Sequence, residues 1–260
     1  MPPALSFFTS FPARSTGDAV QSVDALVCCE PGTLQIARLP VPQSAPGQAL
    51  VRPRRVGLCG TDYHIFQGKH PFLEYPRVMG HELAVEVVET HAQSGLSAGE
   101  ICVVNPYLSC GQCVACLAGK PNCCVGISVL GVHRDGGLAG LLSVPAGNLI
   151  RAQGLTLDEC ATVEFLAIGA HAVRRGAVTH RDKVLVVGAG PIGLGVALFA
   201  RLSGGTVSVL DRDAERSAAA QSLMGVSALP AEGGAADGTS RVALSDDFDV
   251  VFDATGNASA

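Results

Sequence analysis

Short apolar runs separated by turn residues characterise the first part of the chain. These runs occupy residues 25–27, 34–36, 49–52, 83–88 and 100–104. Several short runs at this spacing are typical of a mostly β, barrel-like domain, and we expect one over residues 23–157. Residues 1–22 mix proline and hydroxyl residues without a period, so they predict a loose N-terminal extension.

A different pattern begins at residue 184. Four consecutive apolar residues, 184–187, favour a strand buried on both faces, as in a parallel sheet. Glycines follow at the G-x-G-x-x-G spacing: the first allows a tight turn, the second lets the backbone approach a pyrophosphate, and the third lets helix and strand pack closely. Proline after the second glycine suits the first helical turn. The predicted dinucleotide-binding residues here are Gly188, Gly190, Pro191, Ile192 and Gly193.

A second apolar run, residues 206–210, ends in Asp211. A carboxylate at this position of a Rossmann unit holds the adenosine ribose hydroxyls, so we predict NAD as the cofactor. Arg212, the next residue, keeps NADP open as an alternative. Asp213 is better suited to cap the following helix, which leaves Asp211 free at the strand tip. We expect this nucleotide-binding domain to occupy residues 158–260.

Composition narrows the class of partner. Of the 260 residues, 48% are hydrophobic and 16% are charged, so the chain can bury a large core in one or two domains. A net charge of −5 without a long basic run argues against nucleic acid or an anionic membrane surface as the main partner. Residues 184–200 carry no charge, but their glycines and short length disfavour a membrane helix. The partner should be a small molecule.

The ten cysteines do not predict a secreted disulfide scaffold. The chain is too long for that class, and its N-terminus lacks a basic region followed by a long apolar run. We therefore expect a reducing compartment, the cytoplasm, with cysteines reserved for metal.

Four of the cysteines lie close together in the sequence and suit one tetrahedral zinc ion with no open position for substrate. We predict a structural zinc site formed by Cys110, Cys113, Cys116 and Cys124. Cys123 is expected to be a bystander. The remaining cysteines outside the second cluster described below are interpreted as packing residues: Cys28, Cys29, Cys102 and Cys160.

A second candidate metal site combines three distant residues. Cys59, in a Gly-Leu-Cys-Gly-Thr-Asp-Tyr-His run, and His81, in Gly80-His81-Glu82, are a soft and a borderline ligand of the kind that zinc accepts. Glu164 is an acidic residue in an otherwise apolar helical run, which is unfavourable unless it meets a cation or a hydrogen-bond partner. Taken singly, the three fit a buried small residue, a turn histidine and an exposed helix charge. Together they predict a metal site.

From about residue 23 onward, these motifs resemble the zinc-dependent medium-chain alcohol dehydrogenase family. The resemblance implies an α/β chain in which a GroES-like β-barrel catalytic domain precedes a Rossmann doubly wound domain. Glutamate at position 164 resembles the pattern of the branch of this family that contains the polyol, sugar-acid and threonine dehydrogenases. Three segments look most similar to galactonate or gulonate 5-dehydrogenases: residues 75–82, 105–107 and 130–137.

The resemblance also implies roles. Cys59, His81 and Glu164 would bind a catalytic zinc, with Glu82 as a further ligand or an exchangeable neighbouring carboxylate, and Thr61 and His64 would carry the proton outward. The implied reaction transfers hydride from a secondary alcohol of a polyol or sugar acid to NAD. The family implies a homo-oligomer, a dimer or a tetramer.

The sequence leaves open whether two further residues contact the substrate. His133 and Arg134 are candidate partners for a substrate carboxylate, and they equally suit a solvated glycine turn.

The sequence departs from the family pattern in two places. Phe165 stands where the branch usually has proline, which leaves Glu164 less rigidly held. The chain also stops after a predicted strand at 249–253, so we expect a Rossmann domain without its C-terminal part. Two alternatives follow: a non-catalytic zinc- and nucleotide-binding polypeptide, and a threonine-type amino-alcohol dehydrogenase.

Overall fold

The computed structural model describes residues 22–43, 45–71, 73–229 and 247–256. The first part contains ten strands and two helices, which are β1 (Ser22–Glu30), β2 (Thr33–Pro40), β3 (Gln48–Gly57), α1 (Gly60–Phe66), β4 (Arg77–Val78), β5 (Glu82–Glu89), β6 (Ile101–Val104), β7 (Tyr107–Leu108), α2 (Val114–Leu117), β8 (Ser128–Val129), β9 (Leu142–Pro145) and β10 (Leu149–Arg151). Short 3-10 turns lie at Ala92–Ser94, Pro121–Cys123 and Ala146–Asn148.

The second part alternates helices and strands. It contains α3 (Leu157–Arg175), β11 (Lys183–Val187), α4 (Pro191–Leu202), β12 (Thr206–Leu210), α5 (Ala214–Met224), β13 (Ser227–Leu229) and β14 (Val250–Asp253). Asp213 caps α5 by accepting hydrogen bonds from the backbone N–H groups of Glu215 and Arg216, as predicted.

Antiparallel strands form the barrel. Five of them pair in the order β10-β6-β5-β3-β9, and three more in the order β2-β1-β4. Alternate side chains of the larger sheet face one apolar core, to which Val51, Leu83, Val85 and Val144 each contribute a fully buried side chain. The five apolar runs seen in the sequence fall in β1, β2, β3, β5 and β6. Residues 1–21 of the predicted extension lie outside the described residues. Its last residue, Ser22, begins β1 and pairs with Pro40 of β2.

The second part of the chain is a parallel sheet in the order β13-β12-β11-β14. Val184, Leu185 and Val186 of the central strand β11 are all fully buried, although their side chains alternate between the two faces, so both faces of the sheet are covered at this strand. The predicted Rossmann class is thus confirmed. The carboxyl ends of β11, β12 and β14 meet at one edge, which is where such sheets bind their ligands.

Helix α3 belongs to both parts of the molecule. A reciprocal capping box starts it, in which Thr156 and Glu159 exchange hydrogen bonds. The helix packs on β3, β5 and β6 of the barrel and also on α4 of the second part. At the crossing with α4, Gly169 lies against Gly195, and a Cβ atom added to Gly169 would overlap the Gly195 backbone. Two glycines therefore set how closely the helices approach.

Within the described ranges, no helix combines the length and the apolar character needed to cross a bilayer. The uncharged segment 184–200 is instead a strand, a glycine turn and most of α4.

The helix crossing yields a stability prediction. In Gly169→Ala the new methyl group meets backbone atoms of α4, which cannot change rotamer, so we expect a loss of about 1–3 kcal/mol in the free energy of unfolding. Urea unfolding followed by circular dichroism measures it. The matched control is Gly147→Ala, where an added Cβ meets nothing within 4 Å. Equal unfolding midpoints for the two variants would contradict the proposed close contact.

Candidate active site and metal sites

Strand pairing brings Cys59 and His81 together. In the register of β3 and β5, Gly57 pairs with Glu82, so the end of one strand lies beside the start of the other. Cys59 is the N-cap of α1: its sulfur accepts from Thr61 N–H at 3.2 Å, and Asp62 accepts from Cys59 N–H at 3.0 Å. The Cys59 Sγ and His81 Nε2 atoms are 3.1 Å apart.

Asp62 is a site residue to which the sequence interpretation gave no role. Its side chain is 4% exposed, and its Oδ1 atom accepts from Gly80 N–H at 3.3 Å while lying 3.9 Å from His81 Nδ1. That nitrogen is buried and has no hydrogen-bond partner among the described residues. A histidine that binds metal through Nε2 orients its other N–H toward a carboxylate, and Asp62 is placed to be that carboxylate. Its position three residues after the cysteine, at a helix start, was the available signal.

Two more carboxylates reach the same imidazole from other elements. Glu82 begins β5 and Glu164 lies on α3, and they are 4% and 8% exposed. Two sets of possible ligands share His81: Cys59 with Asp62, and Glu82 with Glu164, and within each set the ligand atoms lie within 4.8 Å of one another. Cys59 and Glu164 thus fall in different sets joined by the imidazole. Gly57 makes room for this arrangement, because a side chain there would overlap the Glu82 carboxylate.

The electrostatics of this cluster fit a cation. Burial and the neighbouring Glu164 raise the pKa of Glu82 to about 7, despite the opposing effect of His81. Burial by itself would lower the pKa of His81, but the hydrogen bond to Cys59 and the charges of Cys59, Asp62 and Glu164 outweigh burial and raise it to about 9. Buried anions at this density are stabilised by a bound metal ion. A thiolate, an imidazole and carboxylates are a donor set that Zn²⁺ accepts.

Tyr107 also joins the site. Its phenol O–H donates to Glu164 Oε1 at 2.8 Å. Burial, together with the Glu164 carboxylate, raises the pKa of Tyr107 well above its usual range. The sequence interpretation used residues 105–107 only for the resemblance, because nothing in one sequence shows that β7 reaches α3.

Thr61 and His64 lie on α1, three residues apart and hence on the same side of the helix. Thr61 is half-buried next to Cys59, and His64 is exposed in the last turn. The structure thus places Thr61 beside Cys59, a predicted metal ligand, and His64 at the surface.

The four-cysteine cluster is compact. All four sulfur atoms lie within 4.8 Å of one another, and those of Cys113 and Cys116 are 3.5 Å apart. Four thiolates around one zinc ion at the usual bond length are about 3.8 Å apart, so the cluster fits the ion. Backbone N–H groups of Cys116 and Val125 donate to the Cys113 sulfur and lower its pKa to about 6. Burial and the hydrogen bond with Cys113 raise the pKa of the neighbouring Cys116 to about 11.

The other cysteines lie apart from this cluster. Cys123 is exposed beside it, Cys28, Cys102 and Cys160 are fully buried, and Cys29 is half-buried. All ten cysteines of the chain are free thiols in the structure.

The glycine turn is shaped for close approach. Gly188 has a φ of 99°, which a side chain would strain, and Gly193 packs so tightly on the Gly188 carbonyl that a Cβ atom would overlap it. Above Gly190, by contrast, an added Cβ would meet nothing within 4 Å. Pro191 and Ile192 start α4, with Gly190 as the N-cap. The helix N-terminus and the open space over Gly190 suit a pyrophosphate.

Asp211 connects this turn to the next strand. Its carboxylate accepts from the backbone N–H groups of Ala189 at 2.7 Å and Asp213 at 2.9 Å, so the side chain is held at the sheet edge. A cleft of about 350 Å³ opens beside it. The cleft is lined by Asp211, Arg212, Ala214, Ser217, Ala218, Gln221, Ala228 and Leu229. It offers apolar walls and polar groups suited to an adenosine, and the residues beyond Arg212 were missed by the sequence interpretation.

His133 and Arg134 are both exposed on a loop that supports His81. The loop packs on the backbone before the histidine: Gly137 N–H donates to Gly80 O at 2.8 Å, and a Cβ added to Gly131 would lie 2.8 Å from Gly80 N. The His133 Nδ1 atom accepts from Val129 N–H at 3.1 Å.

The fold combines a GroES-like barrel with a Rossmann sheet, and comparison with known proteins agrees with it. The family model of the alcohol dehydrogenase GroES-like domain matches residues 45–154. The chain is 34% identical over 238 residues to L-threonine 3-dehydrogenase of Streptomyces coelicolor, covering 89% of this chain and 69% of that protein. The chain therefore belongs to the zinc-type medium-chain alcohol dehydrogenase family, which confirms the resemblance.

Two further relatives refine the comparison. L-galactonate-5-dehydrogenase of Escherichia coli K12 is 43% identical over 198 residues, and the match covers 76% of this chain but 58% of that protein. A crystal structure of a short chain alcohol dehydrogenase, RspB, from Escherichia coli CFT073 with NADH superposes with a TM-score of 0.79 at 31% identity, covering 90% of this chain and 69% of that one. The chain thus spans little more than half the length of its galactonate-oxidising relative.

The two ligand clusters predict separable metal losses. Cys59→Ala and His81→Ala should each lose the zinc ion of the buried cluster and keep that of the four cysteines, while NADH binding persists because the glycine turn is untouched. Elemental analysis and NADH fluorescence measure both. Cys123→Ala, an exposed cysteine outside either cluster, is the matched control and should keep all metal. Undiminished zinc in Cys59→Ala would remove Cys59 from the ligand set.

Proposed function

We propose that this chain carries the metal site and the nucleotide site of an NAD-dependent zinc alcohol dehydrogenase that oxidises a secondary alcohol of a polyol or sugar acid. The observation that carries the proposal is the buried ligand cluster around His81 in the same chain as a glycine turn and Asp211. An isolated metal-binding or nucleotide-binding module would need one of these and not both.

Each residue then has a defined task. We assign the zinc ion to Cys59, His81 and Glu164, with Glu82 as a neighbouring carboxylate able to exchange. This ligand set would join the two groups of possible ligands that share His81. When bound, zinc supplies a Lewis acid that lowers the pKa of a substrate hydroxyl. Thr61, half-buried beside Cys59, would accept the released proton at its oxygen while giving its own hydroxyl proton onward to His64, which would release it to solvent.

The nucleotide-binding part supplies the hydride acceptor. The turn at residues 188–193 would hold the NAD pyrophosphate against the α4 N-terminus, and Asp211 would accept hydrogen bonds from the adenosine ribose. Arg212 lines the same cleft and leaves NADP as the competing cofactor.

Cofactor choice tests Asp211. We expect the chain to prefer NAD over NADP, since the carboxylate repels a 2′-phosphate, and Asp211→Ser should weaken NADH binding by about 10–100-fold through loss of charged hydrogen bonds. Fluorescence titration with NADH and NADPH gives both affinities. Asp213→Ser keeps a helix cap two residues away and should leave the ratio unchanged. Tighter NADPH binding by the parent chain would overturn the assignment.

A substrate panel tests the activity itself. With zinc and NAD, we expect NADH formation from a sugar acid such as galactonate or gulonate, and less from an uncharged polyol or from threonine. Arg134→Glu should lower kcat/KM for the sugar acid roughly tenfold, about 1.4 kcal/mol, with little change for the polyol. Arg175→Glu, an exposed charge reversal in the last turn of α3, is the control.

The panel also separates the alternatives. Full zinc content without NADH formation from any substrate would favour a non-catalytic binding polypeptide, and a preference for threonine would favour an amino-alcohol dehydrogenase. An unchanged sugar-acid rate in Arg134→Glu would remove Arg134 from substrate binding.

Two wider properties belong to the same proposal. Thiolate ligands and free buried thiols suit the reducing cytoplasm. The homo-oligomer implied by the family stays a prediction, which light scattering after gel filtration would check.

A further inference from the structure

Tyr107 is held by its backbone as well as by its phenol. It begins β7, where it pairs with Val129 of β8. The Asn105 side chain accepts from Tyr107 N–H at 3.1 Å, and the Asn148 side-chain amide donates to the Tyr107 carbonyl at 3.1 Å. Both backbone hydrogen-bonding groups are therefore engaged, and the ring projects from a fixed point toward α3.

Glu164 is the residue that the Tyr107 phenol contacts. It is buried on α3, and the phenol O–H reaches its Oε1 atom at 2.8 Å. The bond engages Oε1 and leaves Oε2 free of the phenol. Glu164 offers a carboxylate oxygen within 4.8 Å of the ligand atoms of His81 and Glu82. A carboxylate fixed at one oxygen presents the other in a defined direction. The next residue is Phe165 and not the proline that the branch usually has, so no proline ring restricts the α3 backbone beside Glu164.

We propose that Tyr107 is a positioning residue for the third metal ligand, holding Glu164 by its phenol so that the free carboxylate oxygen faces His81. The inference rests on the proposed catalytic metal site. In this arrangement strand β7, which carries Tyr107, and helix α3, which carries Glu164, come from distant parts of the chain and together fix one ligand.

Direct contact with substrate is the competing role, because 38% of Tyr107 is exposed. The two roles differ in what they require. If Tyr107 positions Glu164, removing its hydroxyl changes metal binding even when no substrate is present. If Tyr107 contacts the substrate, removing its hydroxyl leaves metal binding unchanged, and its effect on the substrate remains when Glu164 is also substituted.

Zinc release to a chromophoric chelator separates them. The parent chain should release zinc in two phases, of which the one absent from Cys59→Ala belongs to the cluster around His81. In Tyr107→Phe, which keeps the ring, that phase should be about 10–100-fold faster, the usual effect of losing a partner of a metal ligand. The phase from the four cysteines is the internal control and should not change. Tyr63→Phe, 58% exposed, is the matched tyrosine control.

A double-mutant cycle completes the test. Combined with Glu164→Gln, the Tyr107→Phe change should have little further effect on zinc release, because the carboxylate it positions is gone. Release from Tyr107→Phe at the parent rate, or an undiminished effect in the Glu164→Gln background, would overturn this inference alone. A parent chain that holds zinc only at the four cysteines would overturn the proposed function, and this inference with it.

Discussion

Burial of negative charge around one imidazole is the constraint on which this structure depends. Asp62, Glu82 and Glu164 are all nearly inaccessible to water, and the Cys59 sulfur lies within hydrogen-bond distance of His81. Asp62 accepts two backbone N–H groups and Glu164 accepts the Tyr107 phenol, but a carboxylate that stays charged in a buried site needs further stabilisation. The proposed divalent cation would supply it for the carboxylates and the Cys59 sulfur together.

The two predicted metal sites are built in different ways. The ligands around His81 come from a helix start, a strand start and the middle of α3, so their geometry depends on barrel register and helix packing. The four cysteines come from one short lobe, and their sulfur atoms are gathered by local turns and backbone N–H groups. The first site is consequently a product of the whole fold, and the second is largely independent of it. Only the first leaves carboxylates and a half-buried hydroxyl beside the metal position.

Patterns local in sequence predicted most of the fold. The glycine turn, the strand before it and the cap at Asp213 follow from neighbouring residues, and the cysteine cluster follows from its spacing. Contacts between distant segments were less accessible. That Tyr107 reaches Glu164, or that Asp62 faces His81, depends on strand register and on how α3 lies across the barrel, which no single stretch encodes. The apolar end of the cleft beside Asp211, on β13, was missed for the same reason.

Helix α3 has a consequence for motion between the two parts. Glu164 and Gly169 are five residues apart on it, about 7.5 Å along a rigid axis, and Gly169 is locked against α4 at the glycine crossing. Because α3 also packs on β3, β5 and β6, and Tyr107 donates to Glu164, the carboxylate is tied to the barrel that carries Cys59 and His81. Any rotation of the parallel sheet relative to the barrel therefore has to change the packing at the glycine crossing, where the absence of side chains leaves two smooth backbone surfaces in contact.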